Sequence, residues 1–166
     1  MLATHDLPPI YDEHSQVLIL GTMPSPKSKE AGFYYAHPQN RFWKVLSAVF
    51  QTEIPLERSG RIAFLQEKHI ALWDVIAQCE IDGAKDASIR TVVANDLPFL
   101  LQRTQIHTVF TTGQTAAKWY RRLLLPQTAL PAIPLPSSSP ANCAIPFARM
   151  VEEYSQIRNA LQQKQA

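Results

Sequence analysis

A chain of 166 residues suits one domain with a substantial core, and an apolar content of 46% excludes a disordered polyelectrolyte. The net charge of +2 does not by itself announce a nucleic-acid partner, and no apolar run approaches the roughly 18–20 residues of a membrane span. The opening MLATHDLPPIYDEHS lacks a basic segment followed by an apolar one, so a reducing, cytoplasmic setting is expected.

Residues 1–15 read as an irregular arm broken by Pro8 and Pro9. The apolar run Val17-Leu18-Ile19-Leu20 reads as a strand over 16–20 buried on both faces. A long loop follows, with three prolines, three aromatics, His37 and Asn40. A helix over 41–50 is then expected, because Phe42, Val45, Leu46 and Val49 share one face and Asn40 stands where an N-cap belongs. A second helix is expected over 57–68, with Ile62, Phe64 and Leu65 inward, although Gly60 opposes it. Ile70 to Trp73 reads as a short buried strand ending at Asp74.

The passage 78–90 reads as polar, with a turn at Asp82-Gly83. Asn95 is the expected cap of a helix near 96–103. A third strand is expected over 106–111, a helix over 114–124 after Gly113, and a short fourth strand over 132–135. Pro146 can open the last helix, whose stripe is Phe147, Met150, Val151, Tyr154, Ile157 and Leu161. Strand and helix alternate at the spacing of crossover units, so the expected fold is a single α/β domain. It should be a three-layer α/β/α arrangement around a four-stranded, mainly parallel sheet, with its core at about 15–160 and no internal repeat.

In an open α/β sheet, ligands lie outside the carboxyl ends of the strands. The polar, aromatic loop after the first strand is therefore a candidate site. Lys27, Lys29, Arg41 and Lys44 crowd it, and such a cluster reads either as a phosphate-binding patch or as a solvated face. The two cysteines, Cys79 and Cys143, fit neither an iron–sulfur cluster nor a common zinc spacing, so no metal or other cofactor is expected.

Three ordered motifs, GTMPS at 21–25, FYYAHPQNRFW at 33–43 and LPSSSPAN at 135–142, resemble the uracil-DNA glycosylase superfamily. Within it the chain is most similar to the hypoxanthine (deoxyinosine) DNA glycosylase branch. The resemblance implies a repair enzyme that flips a deaminated base out of DNA and hydrolyses its N-glycosidic bond, hypoxanthine favoured and uracil allowed. It implies Asn40 as the catalytic residue, positioning a water through its carbonyl oxygen. It implies Tyr35 as the ring stacked on the flipped base, Phe33 and Tyr34 being packing aromatics. Gly21, Thr22 and Met23 would read the base through their backbone.

Asp74 stands where uracil-specific relatives carry a base-reading Asn. Its carboxylate could accept a ring N–H, or else serve the backbone of the following turn. Ser25, Lys27, Ser137, Ser138, Ser139, Pro140 and Asn142 would contact DNA. Other branches have Asp or Asn where this chain has Met23, and His where it has Leu135. His37 reads as a loop-holding histidine or a proton donor. No well-placed lysine nucleophile is evident, Lys27 being the nearest, so a monofunctional, monomeric enzyme acting on DNA is expected. Two other readings stay open, a non-catalytic DNA-binding module of the same fold and a small-molecule nucleoside hydrolase.

Overall fold

The computed structural model describes residues 2–5, 7–82 and 88–163. Its first half runs β1 (Leu2–Thr4), β2 (Val17–Gly21), α1 (Pro26–Ala31), α2 (Phe42–Phe50), α3 (Arg58–Lys68), β3 (Ile70–Asp74) and β4 (Ile76–Glu80). The second half runs β5 (Arg90–Ala94), α4 (Leu97–Leu101), β6 (Thr108–Thr112), α5 (Gln114–Trp119), α6 (Leu125–Thr128), β7 (Ala132–Leu135) and α7 (Phe147–Gln163).

The four apolar runs pair as a wholly parallel sheet in the order β3-β2-β6-β7, flanked by helices, as the sequence pattern predicts. Every residue of β2 and of β3 is buried, which is why neither strand shows an alternating pattern. Register sets Gly21 beside Asp74 and Leu20 beside Thr111, so the carboxyl ends of adjacent strands finish together. The predicted apolar face of α2 is buried at all four positions, and α2 packs on α7, where Met150, Tyr154 and Ile157 lie in the core. Phe147, placed in that stripe, is instead exposed. In α3, Phe64 and Leu65 are buried as expected, and Ile62 is half-buried. Gly60 stands there because a Cβ would lie 2.6 Å from the Pro55 side chain.

Several expectations change. The arm before β2 is partly regular: β1 pairs antiparallel with β4, and Ile10 bridges to Leu72, covering the free edge of β3. The passage after Asp74 holds β4 and β5, which form with β1 a second, antiparallel sheet. Gly83 of the expected turn lies outside the described residues. Within the long loop, Pro26–Ala31 is helical, capped by the Ser25 hydroxyl accepting from the Ser28 N–H. Asp96, not Asn95, caps α4, accepting from the Phe99 N–H; the Asn95 amide donates to the Asp74 carbonyl.

The helix expected over 114–124 is regular only to Trp119, then widens to a π-turn over Tyr120–Leu124 before α6. Pro126 supplies the reason: it brings no amide hydrogen to the carbonyl one turn earlier, and a wider register accommodates the gap.

Candidate active site

Beyond the carboxyl ends of β2, β3, β6 and β7 lies a cleft of about 1480 Å³. Of the residues the motifs point to, Gly21, Thr22, Met23, Ser25, Tyr35, Asn40, Asp74, Ser137, Ser138, Ser139, Pro140 and Asn142 all line it. Lys27 does not. It lies on the outer side of α1, 60% exposed, with Glu30 3.9 Å away.

The floor is set by close approach at Gly21. A Cβ there would stand 2.5 Å from Asp74 Oδ1, 3.2 Å from Tyr35 Oη and 3.6 Å from Thr112 Oγ1. Only a glycine lets the backbone share this space with a carboxylate, a phenol and a hydroxyl. Asp74 is buried, and its Oδ2 accepts from Nε2 of His5 at 2.8 Å. Because a carboxylate only accepts, that ring nitrogen carries the hydrogen.

Tyr35 sits at φ 52°, a left-handed conformation that a bulky residue adopts at a cost. Two contacts hold it there. Its ring stacks on Phe42, with centroids 3.8 Å apart and planes 12° from parallel, and its hydroxyl shares a hydrogen bond with Thr112 Oγ1 at 3.2 Å. Burial, and then the charge of Asp74, push the Tyr35 phenol well above its ordinary pKa, so it stays neutral as a hydrogen-bonding group. Phe33 and Tyr34 are packing aromatics as expected. Phe33 stacks on Trp43, and the Tyr34 hydroxyl donates to the Pro8 carbonyl at 2.7 Å.

Asn40 is half-buried on the cleft wall, and its Oδ1 accepts from the Phe42 N–H at 2.9 Å. The sequence sets capping and water positioning against each other as rival uses of this oxygen. The N-cap of α2 is Arg41, without a side-chain cap bond, so Asn40 stands one residue before the expected place; it accepts the first helical N–H from there, which takes one of the two lone pairs on its amide oxygen. The bond also fixes the rotamer, which a free amide on a loop would lack. His37 acts as a loop-holding residue: its Nδ1 accepts from the Gln39 N–H, and its carbonyl from the Asn40 N–H.

The serine loop is tied into the same wall. Arg41 donates from its backbone N to Ser138 O, and its guanidinium donates to the carbonyls of Asn142 and Ile145 at 2.9 and 2.7 Å. Arg41 thus joins two loops, with two of its five guanidinium N–H donors turned to backbone carbonyls, and it is not among the residues that line the cleft. Ser138 is 2% exposed and its carbonyl takes the Arg41 N–H, so it adds little open surface to the cleft that it lines. Ser137 and Ser139 use their hydroxyl oxygens to accept the N–H groups of Ser139 and Ala141. Met23 and Leu135 line the cleft where other branches have ionisable or amide groups, and Leu135 is 3% exposed.

The motif reading misses His5, Thr112, Lys118 and Arg121. Thr112 was accessible, because it ends a strand before Gly113 just as Gly21 and Asp74 end theirs. Lys118 and Arg121 line the rim with Gln114 and Thr115, the polar spacing of one helical face. His5 left no such signal, being 69 residues from its partner.

The family model described as "Uracil DNA glycosylase superfamily" matches residues 8–162. The chain belongs to the uracil DNA glycosylase superfamily. Among its relatives, a hypoxanthine DNA glycosylase of Methanosarcina acetivorans is 29% identical over 137 residues, covering 81% of this chain and 85% of the relative. A hypoxanthine DNA glycosylase of Methanosarcina barkeri is 32% identical over 94 residues, covering 56% of this chain and 60% of the relative. In fold, the chain is similar to a solution NMR structure of a candidate uracil DNA glycosylase from Methanosarcina acetivorans, with TM-score 0.79 and 25% identity. That match covers 95% of this chain and 99% of the other. In this superfamily member, then, the cleft at the strand ends joins all three motifs the sequence singles out.

Proposed function

We propose that this superfamily member is a monofunctional DNA glycosylase that releases deaminated bases, hypoxanthine first and uracil second. One observation carries the reading. Asn40, Tyr35, Asp74 and Gly21 all line one cleft with ample room for a flipped nucleotide, and the serine loop lines it with them. The names of the Methanosarcina relatives support the same substrate class.

The extruded nucleotide enters with its base against Tyr35, a stacking contact worth roughly 1–3 kcal/mol against an unstacking cost of a few. Asp74 Oδ1, beside Gly21, accepts the N1–H of hypoxanthine or the N3–H of uracil. Adenine and cytosine present a bare ring nitrogen at the equivalent edge, and two acceptors cannot pair, so the parent bases are refused. Asn40, anchored by the Phe42 N–H, turns the other lone pair of Oδ1 to a water. The water oxygen bonds to C1′, the electron pair of the glycosidic bond leaves with the base, and the proton that the water gives up passes through solvent to the departing base.

An amide is a weak base. The acceleration therefore comes from orientation and from the water-poor surroundings more than from proton abstraction. With no lysine attacking the sugar, the product is an intact strand bearing an abasic site. Lys29, Lys118 and Arg121 on the rim meet the DNA backbone, as Ser139, Pro140 and Asn142 do.

The test is a panel of end-labelled oligonucleotides carrying deoxyinosine, deoxyxanthosine, deoxyuridine or the normal bases, incubated with protein and then split with alkali. Alkali-dependent breaks at deoxyinosine, with fewer at deoxyuridine, are expected. Salt-sensitive binding without breaks at any lesion refutes the activity and leaves a DNA-binding module. Release of base from free inosine, with inosine in DNA untouched, points to a nucleoside hydrolase.

A further inference from the structure

His5 comes from a part of the chain that carries none of the family motifs, yet its ring is buried against Asp74, with the two side chains 3% and 4% exposed. The approach is built rather than incidental. β1 pairs with β4, and the His5 N–H continues that ladder to the Ala77 carbonyl at 2.7 Å. Lys29 Nζ donates to the carbonyl of Thr4 at 3.0 Å, and the Tyr34 hydroxyl holds the carbonyls of Leu7 and Pro8. The imidazole on which these ties converge takes Asp74 Oδ2, while Oδ1 is the oxygen beside Gly21.

We propose that His5 is the positioning residue that makes Asp74 a discriminating reader of the base, an inference that rests on the cleft being a base site. By occupying Oδ2, the imidazole N–H fixes the carboxylate plane and leaves Oδ1, beside Gly21 in the cleft lining, as the acceptor. A buried carboxylate stripped of its donor either draws in water or takes a proton, and a protonated carboxyl donates as readily as it accepts. It would then pair with the N1 of adenine as well as with the N1–H of hypoxanthine. His5 thus sets selectivity without touching the base.

The experiment compares the full chain with His5→Phe, which fills the space without a donor, and His5→Gln, whose amide N–H replaces Nε2. Each is titrated with duplexes carrying 2′-fluoro-deoxyinosine or 2′-fluoro-deoxyadenosine at one position, the fluorine slowing cleavage. The readout is the ratio of the two affinities, which does not change with the fraction of protein folded.

The parent should prefer the inosine duplex by at least about tenfold, His5→Phe should fall to within about threefold of no preference, and His5→Gln should keep most of it. A His5→Phe variant with the parent's ratio overturns the role of His5. So does a His5→Gln variant as indifferent as His5→Phe, since the donor would then not be what matters. A parent with no preference, together with no base release from the oligonucleotide panel, overturns the base-site reading itself, an outcome distinct from both.

Discussion

Gly21→Ala is the most discriminating perturbation of the cleft, because two effects of known size oppose each other there. In a strand, exchanging Gly for Ala at a compatible backbone gains about 0.4–1 kcal/mol by restricting the unfolded chain. Against this, the new methyl would lie 2.5 Å from Asp74 Oδ1, where ordinary contact begins at 3.4 Å, and 3.2 Å from Tyr35 Oη. Asp74 cannot simply swing aside, being held by His5 and buried. Overpacking of this kind costs roughly 1–3 kcal/mol, so the balance is a loss of about 1–2 kcal/mol. For a chain this long that lowers the melting midpoint by about 2–8 °C. The carboxylate must also shift by nearly an ångström and the phenol by a few tenths, and a misplacement of about 1 Å at a positioning group slows the bound reaction by up to about 10²-fold. The assay pairs a melting curve with single-turnover excision from a deoxyinosine duplex at saturating protein. A variant that melts at or above the parent and excises at the parent's rate would refute the close-packed floor.

Further consequences follow from other parts of the site. Arg41→Ala removes two charge-assisted bonds between loops and should cost about 2–3 kcal/mol in denaturant unfolding, with Arg41→Lys intermediate; an unchanged midpoint would deny the linking role. Replacing Lys118 and Arg121 together by Ala should flatten the salt dependence of DNA affinity, by about 0.9 in the log–log slope for each phosphate no longer neutralised. An unaltered slope would remove them from the interface.

The pH prediction concerns the buried phenols. Burial raises the pKa of Tyr34, Tyr35, Tyr120 and Tyr154 above the ordinary value near 10, with the charge of Asp74 adding to the first two. A group raised on folding contributes stability that is fully present below its unfolded pKa and is lost as pH rises toward its folded one. Stability should therefore hold to about pH 9 and decline above about pH 10, less steeply in Tyr35→Phe. The same slope in the variant would exclude Tyr35 from that decline.

What the sequence could reveal depended on how local each signal was. The strands Val17–Gly21 and Ile70–Asp74 are legible because burial on both faces leaves an unbroken apolar run, and α2 because its buried face repeats with the helical period. β4 has a mixed burial pattern and partners β1, more than seventy residues away, so nothing in its own residues shows it is paired. α1 has only six residues and starts on a proline, which hides it inside a loop.

The cleft divides in the same way. Asn40 and Tyr35 are visible through a contiguous motif, and Asp74 through its place at a strand end. His5 and the rim cations depend on which distant elements meet, and on the face that α5 and the π-turn present after Pro126 widens the helix. Arg41 shows the opposite case. It lies inside a motif, but its side chain ties the loops together and does not line the cleft.

The central claim is that an amide, anchored by a helix N–H, steers water to the sugar of a flipped base. Single-turnover excision of hypoxanthine by Asn40→Ala, set beside its affinity for an uncleavable fluorinated duplex, tests it most directly. The account predicts excision slowed by at least about 10²-fold, with duplex affinity within about threefold of the parent. Excision at the parent's rate, or a slowing matched by an equal drop in affinity, would contradict it.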